Sequence, residues 1–302
     1  MKVDTKVNYI YYEKSVGLQQ EIEALKQNKL NLELVASEGE NLEKYPTPEA
    51  YCKSYLKHHA GLELEQYIKQ FKPNCRILDI GVGLGQTSIY LAKQGHLVSA
   101  LEPSPEFCEH LAIVANSYKL SLNIYCCNAE SIDRLEKEFD LIIFNESLHH
   151  CDYPVTALKN CYQCLVKEGE VLVCNEPILP FYRSKNWFYQ RLQTHPQEMG
   201  HYGGNEHNYR YHEYIHMLRQ AGFNKIKTFP NISNFNPEMR LKQAKKKKRQ
   251  DGSLVKSEST LFLKKAYYYA IAALTRRESV SHPFLKSLQF LSIIPSTFTA
   301  IK

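Results

Sequence analysis

Apolar residues cluster in short blocks through the middle of the chain. Five of them stand out: Arg76–Ile80 (RILDI), Leu97–Leu101 (LVSAL), Leu122–Cys127 (LNIYCC), Leu141–Phe144 (LIIF) and Val171–Cys174 (VLVC). None alternates cleanly between apolar and polar positions. They therefore read as strands buried on both faces, as in a parallel sheet covered by helices. The segments between them, QTSIYLAKQG, SPEFCEHLAIVANSYK and VTALKNCYQCLVKEG, carry helical spacing. Strand and helix in alternation predict an α/β fold, a doubly wound, Rossmann-like and mostly parallel sheet with helices on both faces. A later helix is predicted over 209–221 and a sixth strand over Lys225–Phe229, while Ser259–Lys264 fits either a seventh strand or a helix start. Upstream, residues 15–40 predict a helix. Tyr45-Pro46-Thr47-Pro48 interrupts it, and two short helices follow. The expected organisation is a helical N-terminal extension (1–48), a main domain (49–240) and a tail (241–302) that can supply a last strand.

Composition changes this picture little, and charge changes it more. In 302 residues, 43% are hydrophobic and 23% charged, which is ordinary for a globular chain. No apolar h-region opens the sequence and no run of 18 apolar residues occurs, so neither a secretory signal nor a conventional membrane span is expected. Nine cysteines scattered without an export signal read as free thiols in a reducing cytoplasm. Residues 241–302 hold ten Lys and three Arg against three acids, a net +10, whereas the whole chain is +6. The basic character belongs to the tail.

The most informative stretch is ILDIGVGLGQTSIYLA, residues 77–92. A strand ends at Asp79-Ile80, Gly81, Gly83 and Gly85 follow, and a helix opens near Gln86. Glycines at such a turn let the backbone approach a ligand closely. A dinucleotide loop would place its third glycine one residue later, and a phosphate loop would end in Gly-Lys-Ser/Thr. No basic residue lies in this loop. Asp79, directly before it, suits a cationic, amine-bearing ligand.

Asp79, Gly81, Gly83 and Gly85 together resemble the first motif of class I S-adenosylmethionine-dependent methyltransferases. Further positions continue the resemblance over roughly residues 50–230. Glu102 ends the second strand, where the family's acid takes the ribose hydroxyls, a task for a carboxylate that accepts two O–H donors. Asn128-Ala129-Glu130 follows the third strand, where the family usually has Asp-Ala beside the adenine. Asn128 departs from that aspartate, yet an amide can still pair with an adenine edge. Asn145, at the end of the fourth strand, completes the residues expected to face the cofactor. The resemblance thus implies S-adenosyl-L-methionine as cofactor, and no metal is expected.

Asn145-Glu146-Ser147-Leu148-His149-His150 should face the transferred methyl, because ligands lie at the carboxyl ends of such strands. It is not Asn-Pro-Pro-Tyr, the pattern of many nucleic-acid amino methyltransferases. The His-His pair resembles small-molecule and sugar O-methyltransferases. His150 is the first candidate base and His149 the second, with loop packing as the plain alternative. Glu176, ending the fifth strand, either orients a histidine or the acceptor, or is a surface carboxylate. The connection 177–210 holds Phe181, Tyr182, Trp187, Phe188, Tyr189, Tyr202, Tyr209 and the polar set Asn205-Glu206-His207-Asn208. Aromatics beside polar groups suit a small-molecule or glycan acceptor, and an ordinary aromatic subcore fits as well. The likeness extends to methyltransferases of polysaccharide and lipid-linked sugar biosynthesis. An RNA methyltransferase with a basic tail, or a non-catalytic relative, are the rival readings.

Two motifs compete with this view. His212-Glu213-Tyr214-Ile215-His216 matches the zinc-hydrolase pattern H-E-x-x-H. No third ligand follows at a suitable spacing, and the apolar stripe Tyr211, Tyr214, Ile215, Leu218, Ala221 leaves both histidines on a flank. Cys161 and Cys164 form a lone CxxC in a helix, a weak signal. In the tail, Lys245–Arg249 (KKKKR) and the apolar stretches 266–274 and 284–301 fit a solvated loop, packing on the domain, or peripheral contact of residues 245–302 with an anionic membrane. Nucleic acid ranks below membrane, since no RNA-binding module accompanies the run. The location expected is cytoplasmic, with peripheral attachment at a membrane surface left open beside a packed or solvated tail. The oligomeric state is open.

Overall fold

Alternation within each strand sorts the core into two layers. Leu78, Ile80, Leu101, Ile142, Phe144, Val171 and Val173 belong to one buried cluster, while their neighbours Ile77, Val98, Ala100, Leu141, Ile143 and Leu172 belong to the other. In the computed structural model, which describes residues 5–12, 18–19, 45–55, 61–135, 138–194, 206–230 and 296–302, these clusters are the two faces of one eight-stranded sheet. The strands are β1 (Val7–Tyr9), β2 (Arg76–Ile80), β3 (Leu97–Glu102), β4 (Asn123–Cys126), β5 (Phe139–Asn145), β6 (Leu165–Cys174), β7 (Lys225–Pro230) and β8 (Ser296–Ile301). Their order is β1-β4-β3-β2-β5-β6-β8-β7. All pairings are parallel from β1 through β6, and β8 is antiparallel to both neighbours.

Helices α1 (Pro48–Tyr55), α2 (Gly61–Ile68), α3 (Gln86–Lys93) and α4 (Pro105–Ser117) contribute Tyr51, Leu64, Ile68, Ile89, Leu91 and Leu111 to one face. Helices α5 (Pro154–Cys164) and α7 (Tyr211–Gln220) contribute Leu158, Cys161, Cys164, Tyr214 and Leu218 to the other. The α4 start shows local sequence logic: Ser104 accepts the Phe107 N–H as cap, and Pro105 takes the first helical position. Neighbouring strands reverse their direction of growth between β2 and β5, and a crevice for ligands opens at such a switch point.

The observed order bears out the expected doubly wound sheet, with three departures. The N-terminal extension is not purely helical, because Val7–Tyr9 pairs with β4 in register Val7↔Ile124. A β-branched and an aromatic residue favour a pleated edge, and Asn8 Nδ2 adds a bond to the Ile124 carbonyl (3.1 Å). The helix predicted over 15–40 lies outside the described residues except for Leu18 and Gln19, which are helical. The last strand is Ser296–Ile301; Ser259–Lys264 lies outside the described residues. Phe298 and Ala300 are fully buried in the α5/α7 layer, and Thr297 and Thr299 are buried on the opposite face. Lastly, the acceptor connection contains a helix, α6 (Lys185–Thr194).

Of the tail, only 296–302 is described, and this part packs on the domain. Lys302 Nζ donates to the carbonyls of Leu165 (2.7 Å) and Gln163 (3.2 Å) at the end of α5, where helix carbonyls attract a cation. The KKKKR run lies outside the described residues. No helix among the described residues is long and apolar enough to cross a membrane.

Candidate active site

The three loop glycines all have positive φ, at 70°, 50° and 78° for Gly81, Gly83 and Gly85. Their surroundings differ. A Cβ on Gly81 would sit 2.5 Å from Ser147 Cβ, and one on Gly85 would sit 2.4 Å from Leu111 Cδ1. Those two positions are closed by the loop after β5 and by α4. Gly83 has nothing within 4 Å of such an atom, so it is the glycine that presents bare backbone to the crevice.

Two buried carboxylates flank this turn. Asp79 accepts from Ser88 Oγ (2.6 Å), and burial pushes its carboxyl up to about 7 against the lowering effect of that bond. Glu102 takes the Gly83 N–H (2.9 Å) on Oε2 and the Ser104 N–H (3.1 Å) on Oε1. Burial raises it also to about 7, although both bonds favour the ionised form. Each oxygen of Glu102 has a second lone pair to offer a ligand hydroxyl. Past β4, the Asn128 Oδ1 is buried without a hydrogen-bond partner. A buried orphan acceptor is costly unless a ligand donor meets it. An amine-bearing nucleoside meets all three demands: its ammonium suits Asp79, its ribose hydroxyls Glu102, and its exocyclic amine Asn128. The residues present fit S-adenosylmethionine.

The loop after β5 is built around Glu176, which lies two residues past β6. Oε1 of Glu176 accepts the N–H groups of Ser147 (3.0 Å) and Leu148 (2.9 Å), and Oε2 accepts the N–H of His149 (3.0 Å). One carboxylate thus satisfies the amino-terminal donors of the short turn Leu148–His150. Oε2 also meets His149 Nδ1 at 2.7 Å. Burial pulls the His149 imidazole down, but attraction to Glu176, reinforced by their hydrogen bond, outweighs it and leaves the ring above its ordinary value. The His150 ring packs on it, centroids 4.1 Å apart. The orienting carboxylate is therefore on His149, and His150, half-buried, stands at the rim. Glu146, at φ 57°, is pushed up to about 7 by burial and then by Glu176.

Residues 78–173 match the family described as a methyltransferase domain. A ubiquinone biosynthesis O-methyltransferase of Coxiella burnetii is 32% identical over 93 residues, which make up 31% of this chain and 39% of that protein. A tRNA 5-carboxymethoxyuridine methyltransferase of Escherichia coli is 30% identical over 114 residues, 36% of this chain and 43% of that protein. The chain spans less than half the length of either relative. Among solved structures, phosphoethanolamine N-methyltransferase 2 of Haemonchus contortus in complex with S-adenosyl-L-methionine has a TM-score of 0.51 at 16% identity, covering 86% of this chain and 58% of that one; this likeness shows the fold. Residues 78–173 are a class I S-adenosylmethionine-dependent methyltransferase domain.

Several expected site residues of the methyltransferase domain turn out to be committed to the protein itself. Asn145 donates to Thr87 Oγ1 (3.3 Å) and accepts from Asn175 Nδ2 (2.6 Å), which ties α3, β5 and the end of β6 together. Ala129 is buried. Glu130 accepts the Tyr153 N–H (3.0 Å) and so holds the start of α5. Ser88, Ser147, Asn175 and Tyr51 support the site without having been singled out. Tyr51 donates to the Leu84 carbonyl (2.6 Å) inside the glycine loop and meets His110 Nε2 at 3.1 Å. Only the small polar pair Thr87-Ser88, in the first turn after the glycines, offered a local signal.

Two residues of the connection join the loop: the His207 N–H donates to the His149 carbonyl (3.2 Å), and Glu206 feels His149 electrostatically. Phe181, Tyr182 and Tyr189 are exposed, and Arg183 lies over the Trp187 ring at 4.0 Å. Tyr202 and Asn205 lie outside the described residues. Tyr9–Tyr12, Gln19, Pro105 and Cys126 line a cavity of about 630 Å³, which the sequence pattern did not reveal. His212 and His216 are exposed on α7, and Glu213 is held by Lys185 Nζ (2.6 Å) and the Arg210 N–H (2.8 Å). Its glutamate caps a helix. Cys161 and Cys164 are fully buried free thiols in the core.

Proposed function

We propose that this chain transfers a methyl group from S-adenosylmethionine to a hydroxyl oxygen of a small-molecule or glycan acceptor. The observation that carries the reading is the His149–Glu176 pair at the carboxyl ends of β5 and β6. A hydroxyl becomes a good nucleophile as its proton leaves, and an imidazole oriented by a carboxylate is suited to take it. With Nδ1 turned to Glu176, His149 offers its other nitrogen to the crevice, and Glu176 stabilises the imidazolium that forms. His150 is the second candidate for that proton. Asp79, Glu102 and Asn128 hold the cofactor, Gly83 admits it, and Gly81, Gly85, Ala129, Glu130 and Asn145 keep the surrounding turns in place. The bound cofactor supplies an electrophilic methyl on a cationic sulfur. Alignment of acceptor, methyl and sulfur does most of the remaining work.

Oxygen as acceptor atom is supported by the names of the ubiquinone biosynthesis O-methyltransferases among the relatives. The exposed aromatics Phe181, Tyr182 and Tyr189 beside Glu206 and His207 suit a sugar ring, with apolar faces stacked and hydroxyls hydrogen-bonded. This favours a role in polysaccharide or lipid-linked sugar synthesis. A lipid-linked acceptor would give the basic and apolar tail, 245–295, a use at an anionic membrane, and nine free cysteines fit the reducing cytoplasm on which such an enzyme would act. Isothermal titration with S-adenosylhomocysteine tests the foundation: micromolar binding is expected, and none at high micromolar concentration ends the methyltransferase reading in favour of a non-catalytic protein.

The tRNA methyltransferase among the relatives favours a second reading, RNA methylation aided by the basic tail. Filter binding to tRNA at several salt concentrations separates the two. Submicromolar binding with a steep salt slope supports RNA, since each neutralised phosphate releases counterions; weak binding supports the small acceptor.

A further inference from the structure

His149, His150 and Glu206 bring one nitrogen each from the two imidazoles and one carboxylate oxygen to within 4.8 Å of one another. We propose that these three side chains form a binding site for a divalent transition-metal ion of the zinc type, at the acceptor side of the crevice. The donor set is two imidazoles and one carboxylate, the set of open zinc sites that keep a fourth position for water or substrate. The surrounding groups are arranged as such a site needs. With Glu176 already an acceptor of three N–H groups, His149 Nδ1–H donates to its Oε2 at 2.7 Å, which fixes the tautomer and leaves Nε2 as the coordinating nitrogen. A carboxylate behind a histidine in this way orients a metal ligand and raises its basicity. Glu176 is itself locked by three backbone N–H groups, so the imidazole cannot swing away.

Glu206 comes from the connection between β6 and α7, and the His207 N–H fastens it to the His149 carbonyl (3.2 Å). Metal binding would therefore tie the acceptor connection to the catalytic loop.

The site itself stands apart from the methyl-transfer reading; its role rests on transfer to a hydroxyl, with the ion taking over from His149 the task of easing the proton away. An acceptor hydroxyl on the open position would lose its proton more readily. The O–H bond would break with the proton passing to solvent, and the O–CH₃ bond would form as the S–CH₃ bond breaks, its electron pair staying on sulfur as S-adenosylhomocysteine. In this arrangement His149 binds the ion in place of a proton.

The test uses the full chain, stripped with a chelator and titrated with Zn²⁺ against a chromophoric competitor, and with Co²⁺ read by its absorption spectrum. One equivalent should bind at micromolar affinity or tighter, with a cobalt spectrum free of thiolate charge transfer. Glu206→Gln and His150→Ala should each weaken binding ten- to a hundredfold, and S-adenosylhomocysteine affinity, the control for folding, should stay within twofold. The double variant His212→Ala, His216→Ala should bind metal as the parent does. No stoichiometric binding, a thiolate band, full affinity in both first-named variants, or loss in the H-E-x-x-H variant would each overturn the site. Failure of the metal titration with S-adenosylhomocysteine still bound leaves the methyltransferase reading intact; loss of S-adenosylhomocysteine binding in the parent overturns that reading alone.

Discussion

The crevice has two halves, built in different ways. The half we assign to the cofactor, at the ends of β2, β3 and β4, is assembled from short local motifs: Asp79 with three glycines, Glu102 two residues before its partner Ser104, and Asn128 at a turn. The half we assign to the acceptor is assembled from distant segments. Glu176 binds a loop 27 to 29 positions earlier in the chain, and Glu206 joins from beyond α6. Their carboxylates also do opposite things to the fold. Asp79 and Glu102 sit buried with their proton affinity raised, which weakens the free protein at neutral pH and awaits a ligand. Glu176 is fully paired with donors of the protein itself. One half is poised to bind; the other holds itself together.

The sharpest way to break this contrast is Glu176→Ala. Removing the buried acceptor leaves three N–H groups and an imidazole without their partner, and the domain should lose about 3–5 kcal/mol of stability in urea unfolding. A loss below 1 kcal/mol would mean the loop is held by something else. Next comes Gly81→Ala, in which left-handed backbone and the approach to Ser147 together should cost about 2–4 kcal/mol. Gly83→Ala, with open space at its side, should cost only about 1 kcal/mol, while hindering S-adenosylhomocysteine. Equal stability losses in the two glycine variants would erase the distinction between a packed and a ligand-facing glycine.

Asp79→Ala and Glu102→Ala should each weaken S-adenosylhomocysteine binding about ten- to a hundredfold, as expected for charge-assisted hydrogen bonds of about 1.5–3 kcal/mol. Thermal stability of the free protein should fall far less than in Glu176→Ala, because the cost of burying each ionised carboxylate disappears along with the one or two donors it satisfies. Full affinity in both variants would remove the cofactor assignment. The smallest effect is in pH. Both carboxyls rise to about 7 from ordinary values of 3.8 and 4.5, so the folded state holds these protons more tightly than the unfolded chain does. Their contribution to stability is most favourable below the unfolded values and is lost as pH climbs towards 7. Binding runs the other way: the ionised carboxylates receive the ligand's donors, so calorimetric affinity should rise several-fold from pH 6 to 8. A flat profile would show that the ligand does not meet these two groups.

Much of the cofactor half was legible because its signals are local. A strand end, an acid and positive-φ glycines follow each other within seven residues, 79–85, and the next acid ends the next strand. In the acceptor half the histidines could be named, but their ranking could not: His149 outranks His150 in orientation only because Glu176 lies under it. The last strand escaped for a similar reason. Phe298 and Ala300 carry too little pattern to announce an antiparallel strand inserted between β6 and β7 across residues 231–295. The Val7–Tyr9 edge was missed because three residues are too few for periodicity to show.

From sequence alone, then, came the α/β layering and the glycine turn after the first strand of the domain, since hydrophobic period and backbone freedom at glycine act over a few residues, and the family resemblance carried by that turn implied the cofactor. H-E-x-x-H was set aside on the same local ground, by the face of the helix it occupies. Tertiary structure decided which carboxylate serves which imidazole, which segment closes the sheet, and that Glu206 meets the histidine pair. Those depend on where a buried charge finds its donors, and a buried charge takes them from whatever the fold brings within hydrogen-bond reach, however far along the chain they lie.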